Sequence, residues 1–412
     1  MLPWLLVGYM WLFVHRPHEI WTQLASFRIV MVYMVCVFIL WVITSPDAKR
    51  PLGNIFTAAV FLYAFALGLA TVFSSFGALT DALVLDWLKY VVFFVIMMTS
   101  IKTEKDLKIL VTGFVVAFFL YIAHSYRAFL GGSVHWSVGA NRIVPVGTTF
   151  SNANDFGTMI VCALPLALPF ITVCKRYWHY LFLLGYVLLT MRCAMLSGSR
   201  TALIMMVALA VLPVVFSRHR FKLIPIILIV LPLCWSVMPE QYQNRYRTMW
   251  DPTIDEAANA NMEGRTAGMY NGLENWKNYP IFGVGPGCHG RPAGTPFRSH
   301  NLIGEVTGEQ GTVGTLAFLF MMLCFCLNHY SVWKSRKFLL EKNLGNEAVY
   351  CWRVSTAVMY AVLMLQIQGF GLHNALWFHW LWFGAFQALA ATIMQEKVNA
   401  AIQGKLLPKI SR

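Results

Sequence analysis

Charge is scarce in this chain. Asp, Glu, Lys and Arg make up 12% of its 412 residues, about half the ~25% of an ordinary soluble domain, while 58% are hydrophobic. That balance excludes a water-soluble enzyme. Acidic residues are the scarcer sign, 18 against 32 Lys and Arg, for a formal charge of +14. The excess does not point to nucleic acid, because the basic residues stand in short clusters between long apolar runs. The nine cysteines lie, except Cys288, in or beside apolar runs, so neither a disulfide framework nor a zinc site is expected. H-E-x-x-H, a P-loop and D-x-D are all missing, so nothing supports zinc hydrolysis, NTP hydrolysis or a metal-bound nucleotide sugar; no cofactor and no metal are expected. Gly285-Pro286-Gly287-Cys288-His289-Gly290 satisfies G-x-G-x-x-G but lacks the βαβ context that gives this motif its meaning. Ser331-Val332-Trp333-Lys334 satisfies S-x-x-K with no partner set beside it. There is no internal repeat and no low-complexity tract. Met1 to Val14 lacks a basic n-region and an A-x-A-like cleavage site, so it reads as a retained segment.

What the sequence has in abundance is apolar runs of about 17 to 25 residues, the length that crosses a bilayer as a helix. They predict helices near 2–15, 26–44, 52–73, 82–100, 107–130, 153–174, 178–196, 200–217, 221–238, 302–331, 349–370 and 373–394. Backbone in lipid must satisfy its own hydrogen bonds, and the alternation of a barrel is absent, so the expected fold is all-α, a polytopic membrane bundle of about twelve helices, the first of them short. Residues 1–238 would hold the first nine, 239–300 a long loop with short amphipathic helices, 301–396 the last three, and 397–412 a tail.

Orientation follows from the basic clusters, which favour the cytoplasm. Lys49 and Arg50; Lys102, Lys105 and Lys108; Lys175 and Arg176; Arg218, Arg220 and Lys222; and Lys334, Arg336, Lys337 and Lys342 fall in alternate loops. The tail adds Lys397, Lys405, Lys409 and Arg412. Both termini are therefore expected inside, and the loop 239–300 outside. Unstructured connections of such length are uncommon unless functional, so the chemistry is expected there.

Several arginines defy the positive-inside trend on that outer side: Arg200, opening a helix in Ser197-Gly198-Ser199-Arg200-Thr201-Ala202-Leu203, and Arg245, Arg247, Arg265, Arg291 and Arg298, with Lys277. A single arginine at a span edge snorkels to the headgroups. A convergent set matches a diphosphate, whose oxygens accept the guanidinium fork. Arg265 begins an amphipathic helix to Asn278 with Met269, Leu273 and Trp276 at helical spacing, ended by Pro280, and lies one turn before Met269 on that apolar face. His300, in Phe297-Arg298-Ser299-His300-Asn301, stands where the loop re-enters the bundle; an imidazole kept neutral by nearby arginines can act as general base. Further candidates for substrate contact are His373, in Gly371-Leu372-His373-Asn374, Glu305, which shares a helix face with Glu309, and Arg142 and Asn154 at another outer turn.

At these residues the sequence resembles the bacterial O-antigen ligase and polymerase superfamily. The matching pieces are Ser197 to Leu203; Gly264-Arg265 leading through Asn275-Trp276-Lys277-Asn278-Tyr279-Pro280 to Phe282-Gly283-Val284-Gly285; and His300-Asn301 followed by Glu309-Gln310-Gly311-Thr312-Val313-Gly314. The ordered trio covers about residues 150 to 330. The resemblance implies a multi-pass protein of the bacterial inner membrane with its active site facing the periplasm. It implies a glycan donor on undecaprenyl diphosphate, held by Arg200 and Arg265, and an acceptor hydroxyl activated by His300. It further implies inverting, metal-independent transfer to a lipid A-core sugar in lipopolysaccharide maturation, as in the ligase branch, or to a repeat unit or protein hydroxyl, as in the polymerase and protein-transferase branches. The opening His15-Arg16-Pro17-His18-Glu19-Ile20-Trp21 is similar to a ligase-like branch associated with exopolysaccharide systems. A lipid-linked glycan transporter is the competing class; it needs polar residues along a crossing path, whereas these charges collect at one face.

Overall fold

A computed structural model describes residues 1–405 apart from 45–48, 75, 138, 151, 216, 218 and 255. Arg218, Lys409 and Arg412 of the basic clusters, and most of the expected tail, lie outside the described residues.

The chain is a helical bundle. Among the described residues seven helices are long and apolar enough to cross a membrane, or eight if a pair bent by 113°, Arg220–Ser236 with Glu240–Arg247, counts as one span. The seven are Ile55–Val72, Thr80–Ser100, Glu104–Leu130, Ala153–Phe170, Tyr177–Leu196, Leu302–Glu341 and Gly345–Gly369. The remaining expected helices are present in a different guise. Leu2–His15 has 14 residues, Ile29–Ile43 has 15 and Arg200–Val215 has 16. Phe378–Ile402 starts later than expected and is largely enclosed, with His379 and Gln387 fully buried among Trp380, Trp382 and Phe383. It packs on Gln310–Glu341, Val349–Gly369, Gly77–Ser100 and Glu104–Leu130. One exception to the all-α expectation is a small antiparallel hairpin, Val134–Ser137 paired with Ala140–Ile143.

Local sequence sets the helix starts. Asn54, Asn152 and Asn301 each accept backbone N–H bonds at the head of a helix, and Thr103 with Asp106 forms a capping box. Caps of this kind satisfy donors that a helix leaves orphaned at its first turn. At the end away from the long loop, Arg50 bonds Glu396 at 2.9 Å, and Lys397 and Lys108 both pair with Glu104. The described basic clusters of three sequence-distant segments thus meet at one end of the bundle.

The segment from 239 to 300 forms the other end. It contains the helices Glu240–Arg247 and Glu256–Asn278, the second longer than the sequence pattern indicates. Its buried face also differs from the expected one. Leu273 and Trp276 are exposed, while Gly268, Gly272 and Asn275 are buried. The cause is a close backbone approach. A Cβ on Gly268 would fall 1.8 Å from the Ser299 carbonyl oxygen, one on Gly272 would fall 2.3 Å from Gly304 Cα, and one on Gly308 would fall 2.7 Å from the Gly272 oxygen. Two glycine pairs spaced by four residues therefore interlock, as small residues do wherever helices touch backbone to backbone.

Candidate active site

Arg265, Gly268, Gly272 and Asn275 share one side of their helix, so the glycine contact carries Arg265 with it to the bundle. Arg265 thus meets the bundle through the small-residue face rather than through the Met269 face. On the facing strand of chain, Ser299 donates to the Gly268 and Asn301 carbonyls, and Asn301 caps the next helix. His300, between them, has φ 47°. A non-glycine residue in the left-handed region stores local strain, a cost tolerated where the surrounding bonds over-determine the turn. Here the turn turns the imidazole into a cavity.

That cavity has a volume of about 710 Å³ and is lined by Arg265, Arg298, His289, His300, Asn154 and Asn271 among others. It is within the ~300 to 1,000 Å³ usual for ligand pockets. Arg265 and His300 thus share one space, as the proposed chemistry requires. Burial, and then the Arg265 and Arg298 guanidiniums, lower the His300 pKa from its ordinary value, so the ring is neutral and able to take a proton near pH 7. Burial and then Arg200 lower that of Arg265, a sign that the two arginines feel each other. Gly371 lies between Arg265 and Thr201, the neighbour of Arg200 in sequence: an added Cβ there would meet Thr201 Oγ1 at 3.0 Å and Arg265 Nη1 at 3.3 Å. Arg200 itself donates to Thr248 Oγ1 at 3.3 Å; it is not among the residues that line the cavity.

Arg142, an expected substrate contact, is enclosed and bonded within the protein. It is only 5% exposed; its Nε donates to the Ser197 carbonyl at 2.6 Å and its Nη2 to Asn154 Oδ1. Arg245 Nε donates to the next carbonyl, Gly198, at 2.6 Å. Burial, then the charge of Arg245, pulls the Arg142 pKa down to about 9. The two guanidiniums fix the turn from which Arg200 emerges, and Asn154 is left with one face on the cavity.

Glu305 and Glu309 lie in a π-helical turn before Gln310–Glu341. Neither pairs with an arginine or reaches His300 among the described residues. Glu305 Oε2 accepts the Ala375 N–H at 2.8 Å and Glu309 Oε2 that of Gly287 at 2.6 Å, so they tie two loops to the helix start. The joint continues in the backbone: the N–H groups of Val284 and Gly285 bond the carbonyls of Gly308 and Glu309, and those of Thr312 and Val313 bond the carbonyls of Pro280 and Ile281. Gly311, at φ 63°, has no room for a Cβ, which would lie 2.5 Å from the Ile281 oxygen. The Phe282 to Gly285 and Gln310 to Gly314 motifs are two halves of one backbone lock.

His373 stands beside His300, ring centres 5.2 Å apart and edge to face. Its Nε2 is 3.3 Å from Arg298 Nη1, which can only donate, so this nitrogen accepts. Burial, then Arg298 and the neighbouring histidines, lower its pKa to about 3. His289 is a member of the site not anticipated from the sequence. It is 5% exposed, lines the cavity, and its pKa is lowered by burial and then by His300. A histidine inside a run of turn-forming glycines was the available signal. Among the described residues no group of three or more His, Cys, Asp or Glu is placed to hold a metal ion.

No curated protein matches this chain. Residues 184–319, which carry Arg200, Arg265 and His300, match the family model described as O-antigen ligase, a match that supports membership of the O-antigen ligase and polymerase superfamily.

Proposed function

We propose that the protein is an O-antigen ligase-like glycosyltransferase of the bacterial inner membrane. It moves a glycan from undecaprenyl diphosphate to a sugar hydroxyl of lipid A-core on the periplasmic side, and the reaction inverts the anomeric centre. The observation that carries this reading is the single cavity shared by Arg265 and His300. A ring nitrogen of His300 takes the acceptor hydroxyl proton as the oxygen forms its bond to the anomeric carbon. The bond from that carbon to the diphosphate oxygen breaks, and the electron pair leaves with undecaprenyl diphosphate. Arg265, backed by Arg200 and with Arg298 across the cavity, stabilises the departing charge. A diphosphate is already a good leaving group, so the reading assigns no metal. Its members' enzyme class favours it over a transporter, as does the collection of these charges at one end of the bundle.

The test is reconstitution of the purified protein in lipid with an undecaprenyl-diphosphate glycan and, in separate reactions, lipid A-core, a free glycan and a hydroxyl-bearing peptide. A discrete glycan added to lipid A-core supports the ligase reading. Product only on glycan or peptide would assign the polymerase or protein-transferase activity instead.

A further inference from the structure

A second, smaller cavity of about 190 Å³ lies against the first, with Arg298 in the wall common to both. Its lining is unlike that of the diphosphate site. It holds the carboxylates of Glu305 and Glu309, the imidazole of His373, and the rings of Trp87, Tyr90 and Trp377. Carboxylates beside aromatic rings are what a sugar needs: hydroxyls donate to the acids, and the C–H face of the ring rests on an aromatic one.

Two further observations favour an occupant with polar groups. Trp87 Nε1 and His373 Nδ1 are buried and have no hydrogen-bond partner among the described residues, although buried donors are normally satisfied. Because His373 Nε2 accepts from Arg298, its Nδ1 carries the hydrogen in the neutral ring and is a donor toward a hydroxyl or ring oxygen. Glu305 and Glu309 are anchored on backbone N–H groups, and a carboxylate so held keeps lone pairs for further donors. A third cavity of about 130 Å³ shares Tyr90 and Trp377 with this one and is lined also by Arg16 and Thr149.

We propose that the cavity between Arg298 and Trp377 is a sugar subsite, taking one pyranose ring of a substrate glycan next to His300. This rests on the transferase reading for its place in the reaction, while sugar binding itself can be read without turnover. The ring belongs either to the acceptor or to the donor glycan.

Saturation-transfer NMR on the detergent-purified full chain, with methyl α-glucopyranoside, methyl α-galactopyranoside and methyl α-rhamnopyranoside, tests the binding. Transfer to at least one hexoside is expected in the wild type and in His300→Ala, unchanged in Tyr90→Phe, and weakened about tenfold, ~1.4 kcal/mol, in Tyr90→Leu and Trp377→Ala. In the reconstituted reaction the same two variants should raise KM about tenfold for one substrate alone: for the acceptor if the ring is the acceptor's, for the donor if it is the donor's. Absence of transfer to all three hexosides, or transfer undiminished in both Tyr90→Leu and Trp377→Ala, overturns the subsite. Hexoside binding in a protein that transfers no glycan would sink the transferase reading and leave the subsite standing.

Discussion

Gly268 lies so close to Ser299 that a Cβ on it would fall 1.8 Å from the Ser299 carbonyl oxygen, and this contact seats Arg265 across one cavity from His300. A methyl group there must push the two segments apart, because the obstacle is backbone. Gly268→Ala is expected to reduce transfer about tenfold or more, since small misplacements of reacting groups are costly, even though alanine is the better helix former by ~1 kcal/mol. Gly264→Ala is the control, for nothing lies within 4 Å of its added Cβ. Equal activity of the two variants would show that the close approach does not matter.

Arg265 and Arg200 are each expected to contribute to leaving-group stabilisation. Hydrogen bonds to charged groups are worth ~1.5 to 3 kcal/mol, so Arg265→Ala should lower kcat/KM for the donor by roughly tenfold or more. Arg265→Lys should recover only part, because an ammonium lacks the planar fork. The loss in Arg200→Ala should be smaller, since Arg265 lines the cavity and Arg200 does not. Steady-state kinetics with donor varied at saturating acceptor decides this, and a larger loss in Arg200→Ala would reverse the assignment.

The pH dependence follows from the direction of the His300 shift. A general base works in its neutral form, so the rate falls as pH drops through its pKa. Burial and the charges of Arg265 and Arg298 lower that pKa, which places the acid limb below the ordinary imidazole range of about 6.5. Removing the positive charge in Arg298→Gln should move the acid limb up. A limb that stays in place would mean that another group controls it.

Much of this was legible in sequence, and the reasons for the rest are physical. Long apolar runs gave the helices, because lipid allows a buried backbone few alternatives. Arg265 and His300 stood out as polar residues at membrane-edge positions. The face that Arg265 shares was misread, because Met269, Leu273 and Trp276 carry the hydrophobic signal while Gly268 and Gly272 carry none. Contacts between distant segments were equally silent. Nothing in Arg142 alone indicates that it is consumed by Ser197 and Asn154, and nothing in Glu305 indicates the Ala375 amide.

Arg142 should accordingly behave as a structural residue. Arg142→Ala leaves the Ser197 carbonyl and Asn154 without a donor, and unsatisfied buried groups cost ~1 to 3 kcal/mol each. A lower Tm together with reduced activity is expected, with KM for the donor little changed. A variant of native Tm and sharply raised donor KM would instead make Arg142 a substrate contact.

The central claim is that His300 removes the acceptor proton in the cavity where Arg265 holds the diphosphate. Its most direct test compares wild type with His300→Ala in the reconstituted transfer, while donor binding is measured separately with the undecaprenyl-diphosphate glycan alone. The account predicts that His300→Ala binds donor as the wild type does and transfers no glycan above the uncatalysed background. Sustained transfer by His300→Ala at the wild-type rate would contradict it.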